Sequence, residues 1–278
     1  EVNPAMPRTF GENQVHVSQI AGWCETDRPL VEVPRSSSTD LDRRIAEHVV
    51  DRIPDGATIQ AGIGSIPSAL LAGLRSHRHL GIHTELLSDG VMDLIECGAA
   101  DGSRKRNERG KAVTTFALGT AELYANLDEN PIVEFLAVDE VNDPRRIAEH
   151  PNFVSINATT EVDLVGQCAS ETVAGRYWSS SGGQADFAKG AMFSPGGKAF
   201  IVLPSTARGG SVSRIRATLT PGSMVTTLKN TVDHVVTEHG IAELRGRSIS
   251  ERARALIAIA APEFRDELAA QAKELRYL

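Results

Sequence analysis

The chain has 278 residues, of which 41% are hydrophobic and 23% are charged, and its formal net charge is −7. This composition is typical of a globular protein with room for one large domain or two ordinary ones. The acidic excess disfavours nucleic-acid binding, in which Lys and Arg neutralise phosphates, but it permits a small nucleotide-like ligand.

Cysteine usage and hydropathy exclude further classes of protein. The three cysteines are too few and too scattered for a disulfide framework or a zinc site, and no His or Cys spacing is typical of a metal site. No apolar run reaches the ~18 residues of a transmembrane helix, and no signal peptide is recognisable. We therefore expect a cytoplasmic protein that holds no metal and spans no membrane.

Residues 1–38 contain extended pieces but little that could form a core. Strands are predicted at 14–17 and 30–33, and the polar stretch RSSSTD at 35–40 is typical of a linker. The chain also begins at Glu1 rather than at an initiator Met. We therefore expect residues 1–38 to be the end of a first domain plus a linker, and 39–278 to be a C-terminal catalytic domain. A processed mature N-terminus is the alternative.

Beyond the linker, helix and strand patterns alternate. A capped amphipathic helix is predicted at 41–53. Strands are then predicted at 57–61, 82–87, 113–118 and 132–138, and helices between and after them at 66–74, 91–97, 121–127 and 144–150. This alternation predicts an α/β fold with an open, mostly parallel or mixed sheet flanked by helices.

The remainder of the chain is richer in strands and turns. The predicted strands lie at 154–157, 162–165, 199–203, 214–218 and 232–237. A final helical segment is predicted from about residue 250 to the end, with a break near Pro262, which cannot continue a helix.

A glycine turn is the first candidate site. In QAGIGSIP, at 60–67, a buried strand ends at Gly62 and Gly64 and a helix opens at Ile66. Glycines let the backbone approach a ligand, and the free amides of a helix start favour an anion. The third glycine of a dinucleotide-binding motif is missing, so a plain strand–helix turn is the alternative.

An acid in an apolar strand is the second candidate. In HTELLSDG, at 83–90, Glu85 is flanked by apolar residues and followed by a polar turn. A buried acid needs partners or a function, so Glu85 is either a reactive carboxylate or a salt-bridged structural residue.

Two further segments offer hydrogen-bond donors. In SSSGGQADFAKGA, at 179–191, the amides of Gly182 and Gly183 could stabilise an oxyanion, although a surface loop explains them equally well. In EVNDP, at 140–144, Asn142 stands at a strand-to-helix junction, where an ordinary capping role is the alternative.

Together these segments resemble the acetyl-CoA hydrolase/transferase family, which includes 4-hydroxybutyrate and butyrate:acetate CoA-transferases. The resemblance covers nearly the whole chain. The matching motifs are NPAMPRTFG, QAGIGSIP, HTELLSDGVMDLIECG, VNDP, INATTEVDLVGQ, SGGQADFAKGA, GGKAFIVLPST and VVTEHGIAELRGRSISERARALIAIAAPEFRDEL. Family members have two related α/β domains, and this chain looks like the second domain with the end of the first.

The resemblance implies a covalent mechanism. In this family a glutamate attacks an acyl-CoA thioester, a mixed anhydride forms, and CoA attacks it to give a glutamyl-CoA thioester. Glu85 matches that nucleophile, and CoA is a substrate and covalent intermediate rather than a permanently bound cofactor. Gln60 and Asn142 match residues near the reacting carboxylate, and Gly183 matches a glycine whose amide faces the thioester oxygen or CoA.

Residues that contact CoA are also implied by the resemblance. They are Gly62, Ile63, Gly64, Ser65, Ile66, Gly182, Gly183 and Lys198. Relatives often carry a Lys where this chain has Pro195, so either Lys198 substitutes for it or the phosphate contact is lost. Glu161 is a rival nucleophile, but Glu85 is preferred because its strand directly follows the glycine turn.

The predicted function is CoA transfer between a short-chain acyl-CoA and a small carboxylate such as acetate, butyrate or 4-hydroxybutyrate. The alternatives are an acetyl-CoA hydrolase on the same scaffold and a non-catalytic CoA-binding subunit. The predicted partners are the two substrates, an N-terminal domain of the same protein, and further copies in a homo-oligomer. The chain by itself is expected to be inactive or very weak, because one wall of the site is absent.

Overall fold

A computed structural model describes residues 1–278. Its strands are β1 (Phe10–Gly11), β2 (Thr58–Ala61), β3 (Gly81–Leu87), β4 (Ala112–Ala117), β5 (Val133–Phe135), β6 (Phe153–Ala158), β7 (Glu161–Asp163), β8 (Cys168–Ala169), β9 (Thr172–Val173), β10 (Arg176–Tyr177), β11 (Lys198–Val202), β12 (Thr206–Ala207), β13 (Val212–Ser213), β14 (Ile215–Arg216), β15 (His234–Thr237) and β16 (Gly240–Glu243). Its α-helices are α1 (Asp40–Val50), α2 (Ser65–Gly73), α3 (Asp89–Glu96), α4 (Ala121–Leu127), α5 (Val138–Val141), α6 (Pro144–Ala148), α7 (Gln184–Phe193), α8 (Ile249–Ile259) and α9 (Arg265–Glu274).

A nine-stranded sheet forms the centre of the fold, in the order β1-β5-β4-β3-β2-β6-β11-β15-β16. Every neighbouring pair is parallel except β15 and β16, which run antiparallel. The central strands β2, β6 and β11 are buried along almost their whole length, as expected where helices cover both faces of a parallel sheet. The predicted α/β class, a mostly parallel sheet flanked by helices, is confirmed.

Helices form a layer on each face of the sheet. Apolar residues of α1, α2 and α3, such as Leu70, pack on one face in the largest buried cluster. On the other face, Val141 of α5, Ile147 of α6 and Phe187 of α7 meet Phe153 of β6. Strands β11 and β15 and helices α8 and α9 share a third cluster. The α5–α7 layer is the one that contacts the candidate site described below.

Local chemistry sets several helix ends. The Thr39 hydroxyl accepts from the Asp42 amide over 3.2 Å, and the Asp42 carboxylate accepts from the Thr39 amide over 2.8 Å. This reciprocal arrangement starts α1, and Ser248 and Glu251 repeat it at α8. Pro262 follows the end of α8 and opens the short 3₁₀ turn before α9, so the predicted break is confirmed.

The N-terminal segment differs from its prediction. Residues 14–17 and 30–33 form no strand, and Val17–Gln19 is a 3₁₀ turn. The edge of the sheet beside β5 is instead occupied by β1, which pairs Phe10 with Glu134. Because that position is filled, the other extended pieces of the segment run over the surface and are mostly exposed.

Several further elements were misplaced or missed, among them the two-residue strands β8, β9, β10, β12 and β13. The strand predicted at 132–138 ends at Phe135, and Val138–Val141 forms α5, whose acidic first turn suits a helix N-terminus. β16, which returns antiparallel to β15, was not predicted. None of the helices combines the length and the apolar character that crossing a membrane requires.

Candidate active site

Glu85 lies near the carboxyl end of β3, on the sheet face that α5 and α7 cover. Successive side chains of a strand point to opposite faces. Ile82 accordingly packs in the α1–α3 layer, whereas His83 lies against Phe187 of α7, and Glu85 follows His83 by two positions. The neighbouring strand β2 ends in the glycine turn. Both candidates therefore lie at the carboxyl edge, where parallel sheets bind ligands.

A single hydrogen bond from the protein holds the Glu85 carboxylate. Asn142 Nδ2 donates to Glu85 Oε2 over 3.2 Å, and Oε1 accepts no hydrogen bond from the protein. None of the ion pairs of the structure involves Glu85. The alternative of a salt-bridged structural residue is therefore not supported. One carboxylate oxygen is oriented and the other is available for reaction.

Asn142 is the C-cap of α5 and not the N-cap of a helix. The N-cap of α6 is Asp143, whose carboxylate accepts from the Arg145 amide over 2.8 Å. The Asn142 side chain is consequently free to face Glu85. Because an ionised carboxylate only accepts hydrogen bonds, the amide nitrogen is the atom that must point toward it.

Gly183 lies against both groups. A Cβ atom at this position would overlap Glu85 Oε2 and would stand 2.7 Å from Asn142 Nδ2 and 3.0 Å from a ring carbon of Phe187. The backbone φ of Gly183 is −85°, which any residue can adopt, so the requirement is for space. Gly182 differs, because its φ of +53° is itself a conformation that favours glycine.

Gly183 is the N-cap of α7, so the N-terminus of this helix lies beside the Glu85 carboxylate. No side chain caps this helix, so its first amides are left without a side-chain acceptor. Such a terminus favours negative charge. Asp186 also lies in this first turn, and burial, together with the nearby Glu85 charge, raises the pKa of Asp186. The uncapped amides therefore favour negative charge near Glu85, whereas burial and the Glu85 charge disfavour a second anion at Asp186.

Gln60 lies on the same face of the sheet, but its side-chain hydrogen bonds go to Ser155 and Asn157. Its Oε1 accepts from Ser155 Oγ over 2.8 Å and from Asn157 Nδ2 over 3.0 Å. Its Nε2 donates to Asn157 Oδ1 over 3.0 Å. The β2–β3 register, which pairs Ile59 with Ile82, places Gln60 beside the strand that carries Glu85. Gln60 is therefore a buried neighbour of the site with no hydrogen bond to the carboxylate.

The predicted glycine turn is present as a strand–helix junction. Gly64, with φ +120°, is the N-cap of α2, and Ser65 and Ile66 form its first turn. Ile63 is 60% exposed between the glycines. A cavity of about 230 Å³ opens beside the turn, between α2, α3 and the linker that contains Arg35. The junction therefore presents backbone and an exposed side chain to a ligand-sized space.

Lys198 lies apart from these residues. It is the first residue of β11, where it pairs with Val154 at the amino end of the sheet, and its Nζ donates to the Arg52 carbonyl over 3.2 Å. Glu85 and the glycine turn lie at the carboxyl ends of their strands. The location of Lys198 therefore lends no support to the predicted contact with CoA.

The rival acid Glu161 is a saturated structural carboxylate. It is only 8% exposed and accepts from the Thr220 amide over 3.0 Å, from Thr220 Oγ1 over 2.7 Å and from Ser223 Oγ over 2.6 Å. These donors tie the loop after β14 to β7. The contacts of Glu161 explain its burial without a catalytic role.

A His–Glu–His group below Glu85 was not predicted. Ligand atoms of His83, Glu108 and His150 lie within 4.8 Å of one another. Arg146, however, donates to Glu108 over 2.8 Å, and the buried ammonium of Lys105 lies 4.0 Å from the same carboxylate. Two cations already neutralise this acid, so the group does not fit a metal ion. The sequence signal for His83 was its position two residues before Glu85.

Comparison with known proteins agrees with this geometry. The family described as acetyl-CoA hydrolase/transferase C-terminal domain matches residues 119–272, which is more than half of the chain. The succinyl-CoA:cyclohexane-1-carboxylate CoA transferase of Geobacter metallireducens is 48% identical over 275 residues, covering 99% of this chain and 63% of that protein. The 4-hydroxybutyrate coenzyme A transferase of Clostridium kluyveri is 48% identical over 96% of this chain and 62% of its own length.

Solved structures give the same result. The crystal structure of RipA from Yersinia pestis superimposes with a TM-score of 0.95 at 42% sequence identity, covering 100% of this chain and 63% of that one. The chain belongs to the acetyl-CoA hydrolase/transferase family. It spans about 63% of the length of the curated relatives.

Proposed function

We propose that the protein containing this chain is a CoA-transferase that exchanges CoA between a short-chain acyl-CoA and a small carboxylate, with Glu85 as the covalent nucleophile. The observation that carries the proposal is the environment of Glu85. Its carboxylate is held by one amide, has no cationic partner, and faces an uncapped helix N-terminus. The names of the most similar relatives support the same class of reaction.

The first half of the reaction loads CoA onto the protein. A Glu85 oxygen attacks the thioester carbonyl, the C–S bond breaks, and CoA leaves as a thiolate while an acyl–glutamyl anhydride remains. The thiolate then attacks the glutamyl carbonyl and expels the acyl group as a free carboxylate, which leaves a glutamyl-CoA thioester. A partly dehydrated pocket favours this attack, because a carboxylate is a weak nucleophile in water.

The second half reverses these steps with another carboxylate. The acceptor attacks the glutamyl thioester and releases CoA thiolate, and the thiolate attacks the acceptor side of the new anhydride. A new acyl-CoA leaves and the Glu85 carboxylate is restored, so bonds and electrons balance without an added oxidant or proton donor.

Each attack passes through a tetrahedral oxyanion. The Asn142 Nδ2 group, which donates to Glu85 Oε2, and the amide of Gly183, whose Cβ position lies against the same oxygen, are the donors in this proposal. Loss of one such donor typically lowers kcat by ~10²–10³-fold. The turn containing Gly62, Ile63 and Gly64 is proposed to contact CoA through its backbone.

Covalent trapping tests the nucleophile. The protein is incubated with acetyl-CoA or butyryl-CoA and treated with borohydride, which reduces a glutamyl thioester, and the modified peptide is mapped by mass spectrometry. We expect modification at Glu85 and none in Glu85→Gln. Modification at Glu161, or none at any acid despite turnover, would contradict the assignment.

The family description covers hydrolases as well as transferases, and the two differ only in the acceptor. CoA release from acetyl- or butyryl-CoA is therefore measured with and without a second carboxylate. Strong dependence on the carboxylate supports the transferase. Equal release in its absence identifies water as the acceptor, and retention of binding without turnover would identify a CoA-binding subunit.

The proposal also includes an N-terminal domain that forms the remaining wall of the pocket, and a homo-oligomeric assembly. Because the chain spans 63% of its relative, we propose that an N-terminal domain completes the carboxylate pocket. The isolated chain is then expected to turn over far more slowly than the protein that includes such a domain. Association into a homo-oligomer stays a prediction, which light scattering would test.

A further inference from the structure

His83 forms the floor of the site, and none of the proposed reaction steps uses it. Its side chain is buried, with 1% of the residue exposed, directly below Glu85 on the same face of β3. Aromatic rings surround it: the ring centroid of Phe153 lies at 6.1 Å and that of Phe187 at 6.4 Å. A polar ring in such a place requires a reason, because its burial costs solvation.

One hydrogen bond joins His83 to the element that presents Asn142. His83 Nε2 lies 2.8 Å from the Val141 carbonyl oxygen, which can only accept. Nε2 must therefore carry the hydrogen, and this contact fixes the tautomer of the ring. Val141 is the last residue of α5, and the next residue is Asn142, the donor to Glu85.

The ring also contacts the second element of the pocket. Phe187, against which His83 packs edge-on, lies one turn after Gly183 in α7. A Cβ at Gly183 would touch Phe187, Glu85 and Asn142 together, so these groups share one closely packed space. His83, on β3, therefore contacts both the end of α5, through Val141, and the first turn of α7, through Phe187.

The surroundings keep His83 uncharged. Burial is the main cause, and the nearby Lys105, His150 and Arg146 add to it, lowering the pKa of His83 to about 3. The neutral ring has one N–H to donate. That N–H goes to Val141, while Nδ1 has no partner.

We infer that His83 is a positioning residue for the proposed CoA transfer, and that its Nε2–H bond to Val141 holds the Asn142 amide against Glu85. The inference rests on the proposed function for its kinetic consequence. Helix α5 has four residues and no side-chain cap, so it has little stability of its own. Without the His83 bond, the Val141 carbonyl loses its buried partner and Asn142 is free to shift.

Paired substitutions test this role in the protein that contains the complete pocket. His83→Phe keeps a ring of similar size and removes the donor, so kcat is expected to fall by ~10–10²-fold, as small misplacements of reacting groups typically do. The KM for acyl-CoA should change much less. His83→Gln places an amide N–H near the former Nε2 and should restore most of kcat.

His77 provides a matched control. Its Nε2 lies 3.0 Å from the Ile53 carbonyl in the α1–α2 layer, far from Glu85. His77→Phe removes the same kind of bond, so it reports the effect on stability alone. We expect it to leave kcat unchanged even where the melting temperature falls as much as in His83→Phe.

A double-mutant cycle and a structural readout decide the outcome. If His83 acts through Asn142, His83→Phe should have little further effect in an Asn142→Ala background. Without substrate, the side-chain NH₂ resonance of Asn142 should shift in His83→Phe and not in His77→Phe.

Several results would overturn the inference. They are an equal loss of kcat in both backgrounds, an unmoved Asn142 resonance, or a folded His83→Gln as slow as His83→Phe. If the unsubstituted protein shows no CoA transfer at all, the proposed function fails, and the resonance measurement still tests the positioning role.

Discussion

The surroundings of Glu85 and Glu161 differ although both are acids on strands of one fold. Glu161 is buried and accepts three hydrogen bonds, two from Thr220 and one from Ser223. Glu85 is half-buried and accepts one, from Asn142. Hydrogen bonds to a carboxylate stabilise its charged form and occupy its lone pairs. The Glu161 carboxylate therefore ties a loop to its strand, whereas Glu85 Oε1 accepts no hydrogen bond from the protein.

Substitution of Glu85, whose carboxylate accepts a single hydrogen bond, should have the largest effect. Glu85→Gln keeps the shape and an oxygen for Asn142 but is not a nucleophile, so kcat should fall by ~10³-fold or more. The melting temperature should change little. Initial rates of acyl-CoA formation measure the first quantity and calorimetry the second. If Glu85→Gln keeps near-normal turnover, Glu85 is not the nucleophile and the proposed functional difference between Glu85 and Glu161 is lost.

Filling the space beside Glu85 should have the next largest effect. In Gly183→Ala the new methyl group overlaps Glu85 Oε2 and crowds Asn142, so we expect kcat to fall by ~10²-fold, the magnitude of a lost oxyanion donor. Gly22→Ala is the control, because Gly22 has open space around its Cβ position. Equal kinetics for both alanine variants would show that the close packing at Gly183 has no catalytic consequence.

Substitution of Glu161, whose carboxylate accepts three hydrogen bonds, should lower the stability of the fold rather than the reaction rate. Glu161→Gln weakens charge-assisted hydrogen bonds from Thr220 and Ser223, so the free energy of unfolding should fall by about 1–3 kcal/mol. Turnover per folded molecule should be unchanged. Urea unfolding and active-site titration separate the two quantities. A loss of turnover in fully folded Glu161→Gln would move the nucleophile assignment to that residue.

A pH dependence of stability is also expected at the floor of the Glu85 site. Burial, with Lys105 nearby, lowers the pKa of His83 to about 3 and that of His150 to about 4, from an ordinary 6.5. Between the lowered pKa of each histidine and its ordinary pKa of 6.5, that histidine binds more protons in the unfolded chain than in the folded one. Stability is therefore complete above about pH 6.5 and falls on acidification, by at most ~1.4 kcal/mol per pH unit for each group.

Urea unfolding from about pH 7 to about pH 4 measures this slope. His83→Gln removes one of the titrating groups, so its free energy of unfolding should decrease less steeply with acidification. The exposed His16 supplies the control, and His16→Gln should follow the unsubstituted protein. If the free energy of unfolding changes with pH at the same slope in all three proteins, burial does not lower the pKa of His83.

Local periodicity was sufficient for most of the fold. Except for α5, the strands and helices between α1 and β6 follow from apolar spacing and from glycine and proline at element ends, because these patterns reflect burial on one face. The weak elements escaped prediction for a related reason. β1 has two residues, and its pairing with β5 depends on a partner more than 120 positions away, which no local pattern encodes.

The site was predictable where a chemical group is unusual in its own segment. Glu85 stands out as an acid in an apolar strand, and Gly182 and Gly183 as adjacent glycines that could supply backbone amides. Residues whose importance lies in contacts across the fold were harder to assign. Lys198 fitted a motif but lies at the other end of the sheet. His83 stands in the HTELLSDG motif but was assigned no role, because its 2.8 Å contact with the Val141 carbonyl joins segments 58 positions apart.

The two-residue strand β1 also determines where the chain can safely be divided. A bare edge strand offers unpaired backbone groups to other molecules, and β1 covers that edge of β5. Gly11, at φ +116°, fits so closely over Phe135 that a Cβ would collide with its carbonyl oxygen, so this cover tolerates little change. Trimming the chain at the predicted boundary near residue 38 would leave every reactive group in place but would uncover β5. We therefore expect the trimmed chain to lose solubility before it loses any group needed for the reaction.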